Sequence, residues 1–219
     1  MSAATRGRTG KAGAQIVVVC AIGLERAALV GATAPGMRVE RSGLGPRAAA
    51  AAAERILRRR PALLVSTGFC GALASNLRPG DLVVATDVLD TASGDRLPVA
   101  ATAVAGVPGR RGTIATTPHP LTDAASRLGV AGVAVDMESA ALARAAAAEG
   151  VPFAAVRAVS DAVGDEVPPA LAVLGDSSPV RAAALLRPRD LPALLGLAGG
   201  ALRAARALRR ALPLVRVPA

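Results

Sequence analysis

Aromatic side chains are almost missing from this sequence: two Phe, no Tyr and no Trp in 219 residues. Proteins that hold single-stranded nucleic acid stack the bases on aromatic faces, so no nucleic-acid partner is expected. Histidine is reduced to His119 alone, which argues against a histidine-based metal site; no metal and no cofactor are expected. The two cysteines, Cys20 and Cys70, lie in apolar runs without metal-ligand spacing or a disulfide framework. They read as buried thiols of a reduced, cytoplasmic protein. Acidic residues are the scarcer sign, 16 against 26 Lys and Arg, for a net charge of +10. That surplus suits an anionic partner, although an arginine bias on solvated helix faces is the plainer account. A long hydrophobic run is also lacking. The longest uncharged stretch, Pro61–Leu77, is broken by Ser66, Gly68, Gly71 and Asn76 and is no membrane span.

About half of the residues are apolar, chiefly Ala, Val and Leu, and the length fits one α/β domain with a substantial core. Residues 1–14 read as a flexible basic tail, and 15–219 as a single catalytic domain with a C-terminal helical segment over 188–219. Arg6, Arg8 and Lys11 before the run Ala14–Leu24, with Ala32-Thr33-Ala34 beyond it, mimic a signal peptide. The run serves better as a first strand, Ile16–Cys20. Further strands are expected at Leu63–Val65, Leu82–Val88 and Thr113–Thr116. Pro46, preceded by Gly43 and Gly45, opens a helix over Arg47–Arg60. A loose edge is expected over Asp90–Gly112 and a loop from Asp161 to about Pro179. Asp190–Leu212 reads as a helix with Gly199-Gly200 as its weak point. Arg203, Arg206, Arg209 and Arg210 fall on one face there, and Leu202, Leu208 and Leu212 lean toward another. Such a helix is either packed on the surface or a basic amphipathic element resting on anionic lipid at the inner membrane face.

The chain is organised around Val133–Asp161. Val133–Met137 is a short apolar strand, Glu138–Glu149 an Ala-rich helix stopped by Gly150, and Phe153–Val159 a second strand. That alternation predicts a right-handed crossover between parallel strands. Asp136 and Glu138 leave the first strand, Asp161 leaves the second, and Glu25 leaves Ile16–Cys20. Ligands of open α/β sheets bind beyond the carboxyl ends of the strands, where several carboxylates are costly unless used. Singly, each has a plain role: Glu25 and Glu138 favour helix starts, and Asp161 is a turn acid. Gly43 and Arg47 are the candidates for an anion or phosphate site at a helix N-terminus, which turn and cap chemistry explains equally well.

Four stretches carry a family resemblance: Ala21–Glu25, Ser42–Gly45, Thr67–Asp81 with its Pro-Gly-Asp turn, and Val135–Asp161, with Asp-Met-Glu-Ser followed by Arg-Ala-Val-Ser-Asp. In this order the sequence resembles the nucleoside phosphorylase/nucleosidase superfamily of purine nucleoside phosphorylases and methylthioadenosine/S-adenosylhomocysteine nucleosidases. The resemblance spans residues 16–161. It implies a three-layer α/β/α fold with a central twisted mixed sheet, an enzyme that cleaves the N-glycosidic bond of a purine nucleoside, and a homo-oligomer. It makes Asp161 the general acid at the leaving base, Glu138 the holder of the ribose hydroxyls, and Glu25 the activator of water in the hydrolytic members. The substrate-binding candidates are Met137, under the sugar, with Gly68, Phe69, Cys70, Gly71 and Ser160. Phe69 replaces a Ser of the nucleosidases, Ala72 replaces a Gly, and Pro120 stands near their adenine-stacking aromatic, so the base pocket is altered.

The stretch Arg181–Leu212 resembles the hopanoid-associated branch. That likeness implies phosphorolytic release of adenine from the lipid-tailed nucleoside adenosylhopane, with phosphate as co-substrate and peripheral membrane contact. The alternatives are hydrolysis of methylthioadenosine or S-adenosylhomocysteine, and a non-catalytic nucleoside- or membrane-binding protein on the same fold.

Overall fold

The computed structural model describes residues 15–168 and 190–218; the expected basic tail and residues 169–189 lie outside them. The first strand is β1 (Ile16–Cys20), followed by α1 (Gly23–Leu29), β2 (Met37–Arg41) and α2 (Pro46–Leu57). Next come β3 (Leu63–Ala72), β4 (Leu82–Asp90), β5 (Arg96–Pro98), β6 (Arg110–Thr116), the short α3 (Ala124–Arg127) and β7 (Ala134–Asp136). The chain continues with α4 (Ser139–Ala148), β8 (Phe153–Asp161) and α5 (Leu191–Ala211).

The strands form one mixed sheet. β2, β1, β3 and β8 make a parallel block, and β4, β6 and β7 make a second block. The two blocks meet along antiparallel seams, β4 with β8 and β3 with β7. Both seams belong to the same circuit, so β3, β8, β4, β6 and β7 close into a five-strand ring from which β1, β2 and β5 extend.

Apolar alternation fills two layers. Val17, Val19, Leu64 and Phe153 pack with Ala49, Ala53 and Ile56 of α2 and Leu142 and Ala143 of α4. Val18, Val65, Val84 and Val156 pack on the other face with Leu29 of α1 and Ala204, Leu208 and Ala211 of α5. The three-layer expectation therefore holds.

Several local expectations change. The strand–helix–strand unit exists, but β7 and β8 are not parallel partners: both pair with β3, one antiparallel and one parallel. β7 belongs to the opposite block, so α4 carries the chain between strands of opposite direction. β3 runs on beyond the expected Leu63–Val65 through Ser66–Ala72, because both β7 and β8 pair with that stretch. Asp90–Gly112 is not a loose edge; it holds β5 and buries Ala103, Val104 and Val107. α5 runs unbroken through Gly199-Gly200. A Cβ at Gly200 would collide with the carbonyl of Ser160, so this glycine is a seat for the helix on β8 rather than a break. Leu202 is 58% exposed, not aligned with the buried Leu208 and Leu212. β2 and α3 are elements that the sequence pattern did not reveal.

Candidate active site

The end of β1 delivers Glu25. The chain turns at Ala21-Ile22 into α1, and the carboxylate folds back on the turn. Its Oε2 accepts from the amides of Ala21 (2.8 Å) and Ile22 (3.0 Å), while Oε1 accepts from the Phe69 amide of β3 (2.6 Å). Glu25 is 3% exposed. Burial raises its pKa above the usual value, against the pull of Arg157 and the three amides.

β7 runs back along β3 from Ala72 and brings Asp136 and Glu138 beside this group. Glu138 Oε1 accepts from the Gly45 amide at 2.8 Å, which ties the glycine loop before α2 to the site. Burial pushes its carboxyl up to about 7, with Arg157 opposing and Asp136 reinforcing the shift. Asp136 accepts from Thr116 Oγ1 (2.7 Å) and from the Ser139 hydroxyl.

Beneath these acids lies Arg157 from the interior of β8, 1% exposed. It pairs with Asp136 at 2.6 Å and Glu138 at 3.6 Å, and donates to the Thr67 carbonyl (3.0 Å) and Ser66 Oγ (2.8 Å). Burial works against its charge, but Asp136, Glu138 and Glu25 outweigh burial and hold its pKa above the usual value.

Asp161 ends β8. Its Oδ1 accepts from Ser160 Oγ at 2.5 Å, and its Oδ2 is ion-paired with Arg127, the last residue of α3. Arg127 also donates to the carbonyl of Ala162 at 2.6 Å. Burial raises the Asp161 carboxyl above its usual value, while Ser160 and Arg127 pull it down.

One cavity of about 220 Å³ joins these groups. Glu25, Glu138 and Asp161 line it together with Met137, Phe69, Cys70, Gly71 and Ser160. Gly68 is not in the wall; it lies behind it, under Glu25 and Arg157. Of the phosphate candidates, Arg47 is exposed, and the Gly43 amide donates to the Ala21 carbonyl (3.1 Å). Neither lines the cavity. Pro120 lines it, whereas His119 is exposed. The thiols are buried, and burial pushes Cys20 up to about 12 and raises Cys70 as well. Among the described residues, no cluster of His, Cys, Asp and Glu is arranged to hold a metal ion.

Sequence reasoning missed Arg127 and the hydroxyls of Thr116, Ser66 and Ser139. A usable signal existed for Arg127: Asp123 caps α3 by accepting from the Ser126 amide, a capping spacing legible in Asp-Ala-Ala-Ser.

The profile of the family described as "Phosphorylase superfamily" matches residues 2–102 and 95–185. Among solved structures, futalosine hydrolase of Helicobacter pylori strain 26695 is 15% identical with a TM-score of 0.67, over 91% of this chain and 96% of its own. S-adenosylhomocysteine nucleosidase from Streptococcus pyogenes, bound to 5-methylthiotubericidin, is 20% identical with a TM-score of 0.67, over 95% and 100%. The MTA/SAH nucleosidase of Streptococcus pneumoniae, bound to 8-aminoadenine, is 20% identical with a TM-score of 0.66, over 92% and 100%. No curated protein matches the sequence.

Proposed function

The chain belongs to the phosphorylase superfamily of nucleosidases and phosphorylases, and on that footing we propose that it hydrolyses the N-glycosidic bond of a purine nucleoside of the methylthioadenosine or S-adenosylhomocysteine kind. The observation that carries this reading is the convergence of buried Glu25, Glu138 and Asp161 on one cavity. Glu138 and Met137 receive the ribose, and a negative carboxylate there favours an oxocarbenium-like sugar. Asp161, which lines the same cavity with Ser160, protonates the departing base. Glu25 takes a proton from the attacking water.

The charge balance favours water over phosphate as nucleophile. Glu25, Asp136 and Glu138 share one guanidinium, Arg157, and Arg127 is committed to Asp161. A phosphate dianion entering beside Glu25 would meet carboxylates, and the amide of Gly45 is already given to Glu138.

A second reading, phosphorolysis of adenosylhopane, is favoured by the exposed leucines and arginines of α5, which suit a lipid-tailed substrate. Both readings expect a homo-oligomer. A second copy of the chain would cover the alanine-lined hollow of about 430 Å³ between α2 and α4.

The test is adenine release from methylthioadenosine and from an adenosine bearing a long apolar 5′ substituent, with and without phosphate. Phosphate-independent release from methylthioadenosine is expected. Phosphate-dependent release confined to the apolar substrate would replace hydrolysis with the second reading. Asp161→Asn should cost roughly 10²–10⁴ in turnover and leave nucleoside binding within a few-fold. Wild-type turnover in that variant would remove the acid role, and no release in any reaction would point to a binding protein.

A further inference from the structure

The outward face of α5 does not match a packed surface helix. Leu191, Leu195 and Leu202 are 57%, 65% and 58% exposed. At about 100° per residue, these positions and Ala198 form one stripe, opposite the buried Gly200, Ala204 and Ala211. The most apolar 18-residue stretch within Leu191–Leu214 has a mean hydropathy of 1.2, yet only 17% of it is buried. A core helix of that composition would be covered.

The stripe continues into Arg206 and Arg209, with Arg203 and Arg210 beside it, all exposed. From Leu191 to the end of the sequence there is no Asp or Glu. α1 widens the patch: Arg209 donates to the Ala28 carbonyl at 2.8 Å, and Leu24 and Val30 are 58% and 53% exposed.

We propose that this face, α5 with the adjoining α1, docks on the surface of an anionic lipid bilayer. Apolar side chains followed along one stripe by arginines match acyl chains beneath phosphate headgroups. A second copy of the chain is a poorer occupant, because this helix carries no acid to receive the arginines. The helix lies in the interface rather than across it, since its opposite face is held by the sheet. Docking also reaches the candidate active site. Gly200 rests on the carbonyl of Ser160, the neighbour of Asp161, and Glu25 lies in the first turn of α1. A bilayer-bound molecule therefore keeps both helices that border the acids at the lipid surface, whatever the nucleoside.

The chain has no Trp, so Leu195→Trp gives a single-site probe. In the full-length protein, its fluorescence should shift to the blue with phosphatidylcholine vesicles containing phosphatidylglycerol, and far less with phosphatidylcholine alone. The unlabelled protein should co-sediment with the same anionic vesicles, and salt should weaken this. Arg206→Gln and Arg209→Gln should each lose roughly fivefold in vesicle affinity, and Leu202→Gln roughly tenfold, with melting temperatures unchanged in Arg206→Gln and Leu202→Gln, whose side chains are exposed. No co-sedimentation by the wild-type chain overturns the proposal. So does co-sedimentation that all three substitutions leave intact, or a Leu202→Gln protein whose only change is conversion of a dimer to a monomer. Nucleoside cleavage is not part of the readout, so failure here leaves the hydrolytic reading standing.

Discussion

Replacing Arg127 by Gln tests how Asp161, the proposed general acid, is held. The Arg127–Asp161 pair is nearly dry, with side chains 2% and 10% exposed. With Ser160 on Oδ1 and Arg127 on Oδ2, both side-chain hydrogen bonds to Asp161 favour the carboxylate. A general acid needs the opposite form, so Arg127 must restrain protonation while it fixes orientation. Removing one partner of a buried pair costs about 3–5 kcal/mol when the other stays charged. Here the cost depends on pH. The folded Asp161 carboxyl is already raised, and losing the cation raises it further. The folded variant therefore holds a proton that the unfolded chain releases, and its stability falls as pH rises. The full penalty should appear at neutral pH and shrink toward about pH 4, where the group is protonated in both states. Urea unfolding of wild type and Arg127→Gln across this range reads the difference directly. In parallel, the alkaline limb of adenine release should move to higher pH in the variant, because the acid form persists longer. A penalty independent of pH would refute the coupling. An unmoved alkaline limb in a variant that does lose stability would show that Asp161 does not carry the proton.

Two further perturbations follow from the same packing. Gly68 has φ of +129°, and a Cβ there would collide with Glu25 Oε1 while lying 2.8 Å from its Cδ and 3.0 Å from Arg157 Nη1. Gly68→Ala should cost about 1–3 kcal/mol in strain and pull turnover down to the level of Glu25→Gln; wild-type turnover would mean that Glu25 does not need its present seat. Glu138, raised to about 7 from 4.5, takes up a proton on folding in that interval. Wild-type stability relative to Glu138→Gln should therefore fall between pH 4.5 and about 7 and be flat above, and a thermal-melting difference flat throughout would show Glu138 ionised in the fold.

The strands most legible in the sequence were those buried on both faces. Ile16–Cys20 and Phe153–Val159 are apolar runs, the second interrupted only by Arg157, and both lie in strands buried over most of their length. Periodicity failed where pairing, not composition, decides the structure. Ser66–Ala72 contains two glycines and reads as a loop, yet β7 and β8 pair with it from both sides. β7 has three residues, too few to encode a direction, and only closure of the ring sets it antiparallel to β3. β2 hides because Arg38, Glu40 and Arg41 interrupt it; it needs only one partner, β1, at the edge of the sheet.

In the candidate site the acids were legible and the pairing of the cations with them was not, and the reason is positional. Glu25, Glu138 and Asp161 stand at the ends of apolar runs, where a charge is conspicuous. Arg157 lies inside one such run, Phe153–Val159, and is tolerable there only because Asp136 and Glu138 arrive from β7 on another part of the ring. Arg127 closes a four-residue helix that no hydrophobic period announces. The consequence is chemical. Read from its acids alone, the cavity is strongly negative and indifferent to what attacks the sugar. With both guanidiniums placed, each is committed to a carboxylate, leaving negative potential where the sugar would develop positive charge. On the proposed hydrolytic reading, this is the arrangement that water, rather than a phosphate dianion, approaches at lowest electrostatic cost.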